Sequence, residues 1–272
     1  MLAAGLTPIP FSLRTEDGKH IYTIEGIDRE LESVTTNLRV INKRDLNDWR
    51  VKLGKEESNR IRDEGGDVGR MVHAAGLRLF KGVGYGSYEW SKLGLPTPED
   101  ERVRNAVYAL DMMRRERNMV AAAAECFVYS LGDGGAGMLD AAIWTDEHHD
   151  AVDIFDWKTS GAVYPEAWLQ LAPYARWFME CYHVPVRRIY PVRLDRGLPT
   201  VPRDADGNPI RTGLYELGAT WKRHEVDPET GKPTLVERHQ DYMEGDDIMD
   251  AFENYMHAQE LGAWIKRHGG RY

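Results

Sequence analysis

Asp140, Asp156 and Lys158 are the residues whose types and spacing could do chemistry. They lie in the stretch 137–160, GMLDAAIWTDEHHDAVDIFDWKTS, where two apolar runs flank a polar segment and the second run closes on Asp156-Trp157-Lys158. In an extended chain alternate side chains share a face. Val152, Ile154, Asp156 and Lys158 therefore line one side, and Asp153, Phe155 and Trp157 the other. Apolar residues on both sides mark a covered strand, so Asp156 and Lys158 project together where it emerges. A hairpin through TDEHHD would bring Asp140 of the preceding strand beside Asp156. Two carboxylates at close range repel unless positive charge stands between them. Lys158 supplies one charge. A divalent cation would supply more, and hard oxygen ligands suit Mg²⁺ or Mn²⁺. Such an ion polarises a phosphodiester and makes water nucleophilic near neutral pH. A lysine beside it can orient that water or offset phosphate charge.

The elements that must position these groups follow from pattern. Residues 122–131, 137–144 and 151–157 read as three strands, with GDGGAG and TDEHHD as turns. A helix is predicted from about Pro165 to Tyr182, with Trp168, Leu171, Ala175 and Phe178 on one face, and a strand over 186–194. Before them, PFSLRT and KHIYTI flank Glu16-Asp17-Gly18 as a hairpin. Leu46, Trp49 and Leu53 share a helical face ending at Gly54, with a second helix after it. GDVGRMVHAAGLRLFKG predicts a further helix on Val68, Val72, Ala75 and Leu79, broken by Gly82-Val-Gly-Tyr-Gly. Thr97-Pro98-Glu99-Asp100 reads as a helix start with Thr97 capping and Pro98 in the first turn, and that helix runs to about Asn118. Residues 196–242 read as a β-hairpin excursion, and 244–268 as an amphipathic helix carrying Ile248, Phe252, Tyr255 and Trp264. The expected class is mixed α/β (α+β), a central mixed sheet flanked by helices. One domain is expected: a β/helical part at 1–118, a core at 119–195, the excursion and the closing helix.

Composition narrows the function classes. The chain has 272 residues, 42% hydrophobic and 29% charged, as in a water-soluble globular protein. No apolar run reaches the ~18–20 residues of a membrane span, and no basic region precedes the short apolar N-terminus as in a signal peptide. A net charge of −9 argues against electrostatic coating of nucleic acid, but not against an enzyme gripping a few phosphates. Two cysteines, Cys126 and Cys181, exclude a disulfide framework and a four-cysteine cluster, and a reducing, cytoplasmic setting is expected.

The ordered set resembles the PD-(D/E)XK nuclease superfamily, and its RecB-like, phage-type exonuclease branch in particular. Asp140 followed by Asp156-Trp157-Lys158 matches its D…(D/E)-x-K core. Gln170 and Tyr174 resemble its Q-x-x-x-Y motif, and His73 in GRMVHAAG its upstream histidine. The likeness covers roughly residues 33–190. It implies a restriction-endonuclease-like core and a Mg²⁺- or Mn²⁺-dependent deoxyribonuclease using one or two ions. Asp140, Asp156, the Trp157 carbonyl and His73 would ligate metal, with Lys158 serving the nucleophilic water. Glu125 falls near an additional acid of the superfamily, and Gln170 and Tyr174 would support the site or touch substrate. Arg70, one helical turn before His73, is placed as a phosphate contact by position alone. DNA is the implied partner, in a phage or bacterial recombination or repair setting, with a recombination or single-strand-binding protein as a further partner and no membrane. Pro173 departs from the pattern and is expected to kink the helix beside Tyr174. The iron–sulfur cluster of some relatives would need more cysteines than the chain has.

Other readings compete. A catalytically inactive DNA-binding or assembly subunit could share the fold. Gly132, Gly134 and Gly137 fit G-x-G-x-x-G and would make a dinucleotide-binding protein, but only if MLDAAIWTDEHHD were a helix. His148-His149-Asp150 reads as a solvated turn. Arg102, Arg104, Arg114, Arg115 and Arg117 alternate with acids and predict a solvated face.

Overall fold

The computed structural model describes residues 6–41, 44–82, 90, 93–145, 150–194, 204–207, 213–228 and 232–268. The hairpin turn at Glu16-Asp17-Gly18 joins β1 (Phe11–Glu16) to β2 (Lys19–Ile24). A short strand, β3 (Glu30–Ser33), follows, then the one-turn helix α1 (Val34–Asn37), capped by the Ser33 hydroxyl, and a 3₁₀ turn over Leu38–Val40. None of these three was expected, because four-residue elements such as ELES carry too few positions for a period to register.

Helix α2 (Arg44–Leu53) is followed by α3 (Lys55–Gly82), one helix of 28 residues where two were expected. Gly65 and Gly66 do not end it. Its buried stripe of Val68, Val72, Ala75 and Leu79 packs hard enough to outweigh ~1 kcal/mol per glycine. Gly76 serves contact directly: a Cβ there would lie 3.1 Å from Leu110 Cδ2 and 3.6 Å from the Trp157 indole nitrogen. Helix α4 (Glu101–Glu116) starts later than expected. Asp100, not Thr97, is its cap, accepting from Arg102 N at 2.8 Å. Its arginines are also not all solvated: Arg114 is buried against Asp111, which in turn holds Arg115.

Next come β4 (Ala121–Ser130), β5 (Gly135–Trp144), β6 (Val152–Lys158), α5 (Glu166–Tyr182) and β7 (Val186–Leu194). Then β8 (Tyr215–Leu217) joins β7, while β9 (Ala219–Val226) and β10 (Pro233–Gln240) pair as a separate hairpin. The chain re-enters the main sheet at β11 (Met243–Glu244), so α6 (Asp246–Arg267) begins after it. Trp264 is 53% exposed and stacks on His268, outside the buried face of Ile248, Phe252 and Tyr255 where it was expected. The expected break at 83–86, the turn residues 146–149 with His148 and His149, and most of 196–212 lie outside the described residues.

The main sheet runs β1-β2-β3-β5-β6-β7-β11, with β4 also on β5 and β8 on β7. It is mixed: β5 is antiparallel to β4 and β6, and β6 is parallel to β7. Because β4 runs along one edge of β5, β3 and β6 share the other edge. There β3 pairs at Gly135–Ala136 and β6 from Ala141 onward, leaving 137–140 between the two pairings. Helices cover both faces. Val152 and Ile154 of β6 pack with α5 and α6, and Phe155 and Trp157 with α3 and α4. Among the described residues no helix is long and apolar enough to cross a membrane. The dinucleotide reading fails here. Gly132 and Gly134 lie in the tight β4–β5 turn, and the helix it needs is instead β5.

Candidate metal centre

The site lies where β6 leaves the cover of the helices. The β5–β6 register pairs Ala141 with Phe155, and one step on brings Asp140 level with Asp156. There the Asp140 carboxylate takes over from the backbone ladder: Oδ2 accepts the Trp157 N–H at 2.6 Å. Its other oxygen, Oδ1, lies 3.0 Å from His73 Nδ1. The same nitrogen is 3.4 Å from Glu125 Oε1. His73, Glu125 and Asp140 thus offer ligand atoms within 4.8 Å of one another. They come from three elements, α3, β4 and β5.

Local backbone explains the convergence. On β5, Leu139 packs on the α5 side, whereas Ala141 packs with α3 and α4 and Ala142 with α5. The inward–outward alternation slips by one at Asp140. Opposite it on β4, Glu125 has φ 47°, left-handed backbone inside a strand. For a residue with a Cβ that conformation costs ~1–2 kcal/mol, strain of the kind that collects at functional sites. On the α5 side, Gly137 lets Tyr174 approach the sheet; a Cβ there would stand 2.4 Å from the Tyr174 ring.

A second group adjoins the first. Lys158 Nζ is 2.5 Å from Asp156 Oδ2 and donates to Gln170 Oε1 at 2.9 Å. Gln170 Nε2 donates to Asp156 Oδ1 at 3.2 Å. Pro173 does not displace this pair: α5 continues through it to Tyr182. Tyr174 is 3% exposed, so its burial leaves it a supporting role behind Gln170 and takes away the substrate contact also expected of it. Arg70 is turned to solvent and paired with Asp67. Trp157 brings its N–H to the site, while its indole is buried between Phe80 and Phe155. Thr159, which the sequence reading did not single out, lies across from Gly69 of α3, one turn before His73. Its adjacency to Lys158 was the available signal.

Asp140 chiefly, and then Glu125, raises His73 to about 11 against the opposing effect of burial. A proton on His73 stands in for positive charge among these acids. Burial raises Asp156 above the usual carboxylate range, Asp140 adds to this, and Lys158 opposes it. Tyr174 is pushed well up by burial and by Asp156. Asp156 Oδ2 is buried and has Lys158 Nζ at 2.5 Å as its charged neighbour. An imidazole nitrogen and two converging carboxylates are a donor set that could hold a metal ion. No protein-family model and no curated protein matches this chain.

Proposed function

We propose that this chain is a metal-dependent deoxyribonuclease of the PD-(D/E)XK kind, RecB-like, with a restriction-endonuclease-like core and an exonucleolytic action. The observation that carries the reading is the meeting of His73, Glu125 and Asp140 within 4.8 Å, directly beside the Asp156–Lys158 pair. His73, Asp140 and Asp156, with Glu125 and the Trp157 carbonyl, would hold Mg²⁺ or Mn²⁺. When bound, the ion supplies charge to the phosphodiester and lowers the pKa of water. Lys158 orients the attacking water and offsets charge on the phosphate, and Gln170 fixes the Lys158 and Asp156 side chains relative to each other. The reading puts the protein in a cytoplasmic setting, in DNA recombination or repair.

The test is digestion of end-labelled linear, circular and single-stranded DNA with Mn²⁺, with and without EDTA. Ion-dependent cleavage that disappears in Asp156→Ala and Lys158→Ala is the expected result. Full activity in both variants would refute the assignment. Binding without cleavage in the wild type would make the chain a DNA-binding or assembly subunit instead.

A further inference from the structure

Arg193 lies on β7 level with Lys158 on β6, in a parallel pairing that sets the two side chains next to each other on one face. Neighbouring strands are ~4.8 Å apart, so the two side chains leave the sheet from adjacent positions near the strand ends, with Arg193 drawn toward β8 on the far side of β7 from Lys158. Its side chain is 29% exposed, neither buried in the core nor free in solvent. Glu216 of β8 holds it, accepting from Arg193 Nε at 2.9 Å. Only that edge of the guanidinium is used. Among the described residues neither terminal nitrogen of Arg193 has a hydrogen bond. On the same strand, Arg187 donates through both Nε and Nη2 to Asp153, whereas Arg188, like Arg193, bonds a carboxylate through Nε, to Glu244. A planar fork fixed at its Nε edge presents two parallel donors, the geometry that matches two oxygens of one phosphate. The lysine next to it is already committed to Asp156 and Gln170. The strand that enters the site therefore meets its second positive charge at Arg193.

We propose that Arg193, aimed by Glu216, grips the backbone phosphate flanking the one that is cut, and so positions the DNA strand on the lysine side of the metal centre. This rests on the nuclease reading, but the contact is one of binding and can be measured without cleavage. The experiment is fluorescence anisotropy of a labelled single-stranded oligonucleotide and of its duplex, in EDTA and across a salt series. It uses the wild type, Arg193→Ala, Arg193→Lys and Glu216→Gln, with KM and kcat measured separately in Mn²⁺. Arg193→Ala should weaken binding about ten-fold and flatten the slope of log K against log salt by ~0.7–0.9. In cleavage it should raise KM and leave kcat within about two-fold. Arg193→Lys should recover the salt slope but not the full affinity, because an ammonium lacks the fork. A surface ion pair with no role in binding would leave the slope alone. If the wild type binds and cuts while Arg193→Ala keeps its slope and KM, the Arg193 assignment falls and the nuclease reading stands. If the wild type binds and the slope changes without any cleavage, the phosphate contact stands and the nuclease reading falls. A wild type that neither binds nor cuts overturns both.

Discussion

The two halves of the pocket hold their charge in different ways. In one, Asp156, Lys158 and Gln170 close on themselves: the acid meets the ammonium, and the amide bonds to both. In the other, Glu125 and Asp140 converge on a single imidazole nitrogen. The first half is neutralised by its own covalent charges. The second sets two carboxylates against a single imidazole, whose pKa they raise well above its ordinary value. Crowding carboxylates at a strained backbone position is unfavourable unless positive charge stands between them. The crowding is explained if a dication replaces the proton on His73, while the self-contained half supplies a lysine whose position is set in advance.

The largest effect that would break this contrast is on cleavage. Asp156→Ala, Asp140→Ala and Lys158→Ala should each reduce DNA hydrolysis at least ~1000-fold, a loss of ~4 kcal/mol of transition-state stabilisation. Their effects on the metal-free fold should differ. Lys158→Met leaves the 3%-exposed Asp156 without its partner and should cost ~3 kcal/mol by urea unfolding in EDTA. Asp156→Asn removes the charge that needed a partner and should cost much less. Equal losses in the two variants would mean that Lys158 does not neutralise Asp156.

Next in size is metal affinity. His73→Ala should weaken Mn²⁺ binding by about 100-fold or less, with Lys158 and Gln170 variants well behind it, as read by calorimetric titration. Because the wild-type imidazole must lose its proton to bind, Mn²⁺ affinity should rise about ten-fold per pH unit between pH 6.5 and 9. That slope should vanish in His73→Ala. A flat wild-type profile would mean that the ion sits elsewhere.

The smallest effects concern stability without metal. The folded-state pKa of His73, about 11, lies above its ordinary 6.5. Its pairing with Asp140 therefore stabilises the fold fully below pH 6.5, and that contribution drains away as pH climbs toward 11. In EDTA, the melting-temperature advantage of wild type over His73→Gln should be greatest near pH 6 and shrink steadily by pH 9. An advantage that grows with pH would invert the assignment. Gln170→Ala should lower kcat only about ten-fold, since the direct Lys158–Asp156 pair persists and holds part of the arrangement that Gln170 fixes.

Much of this was legible beforehand. The strands around Asp140 and Asp156 were readable because a strand covered on both faces must be apolar throughout, so a terminal Asp-x-Lys interrupts the pattern. Helix α5 could be read from Trp168, Leu171, Ala175 and Phe178, all near-buried. What was misread has physical causes. Glycine propensity predicts a break at Gly65-Gly66, but packing of the α3 stripe overrides it. Thr97 and Asp100 are both good caps, and local sequence does not rank them. Trp264 lies nine residues, two and a half turns, after Tyr255, which puts it on the side of α6 opposite the buried face.

The amino-acid order alone determined which residues could carry charge into the sheet. It also determined that Asp156 and Lys158 share a face, because alternation along a strand is a property of the backbone. Tertiary structure decided that Glu125 joins Asp140 rather than facing away. That depends on a left-handed residue in β4 and a slip of alternation in β5, which no period in the sequence encodes. It also decided that His73, 67 residues before Asp140, closes the triad, and that Arg193 stands beside Lys158. Contacts between residues far apart in the chain are set by how helices pack and strands register, and a hydrophobic pattern constrains those only through the core they share.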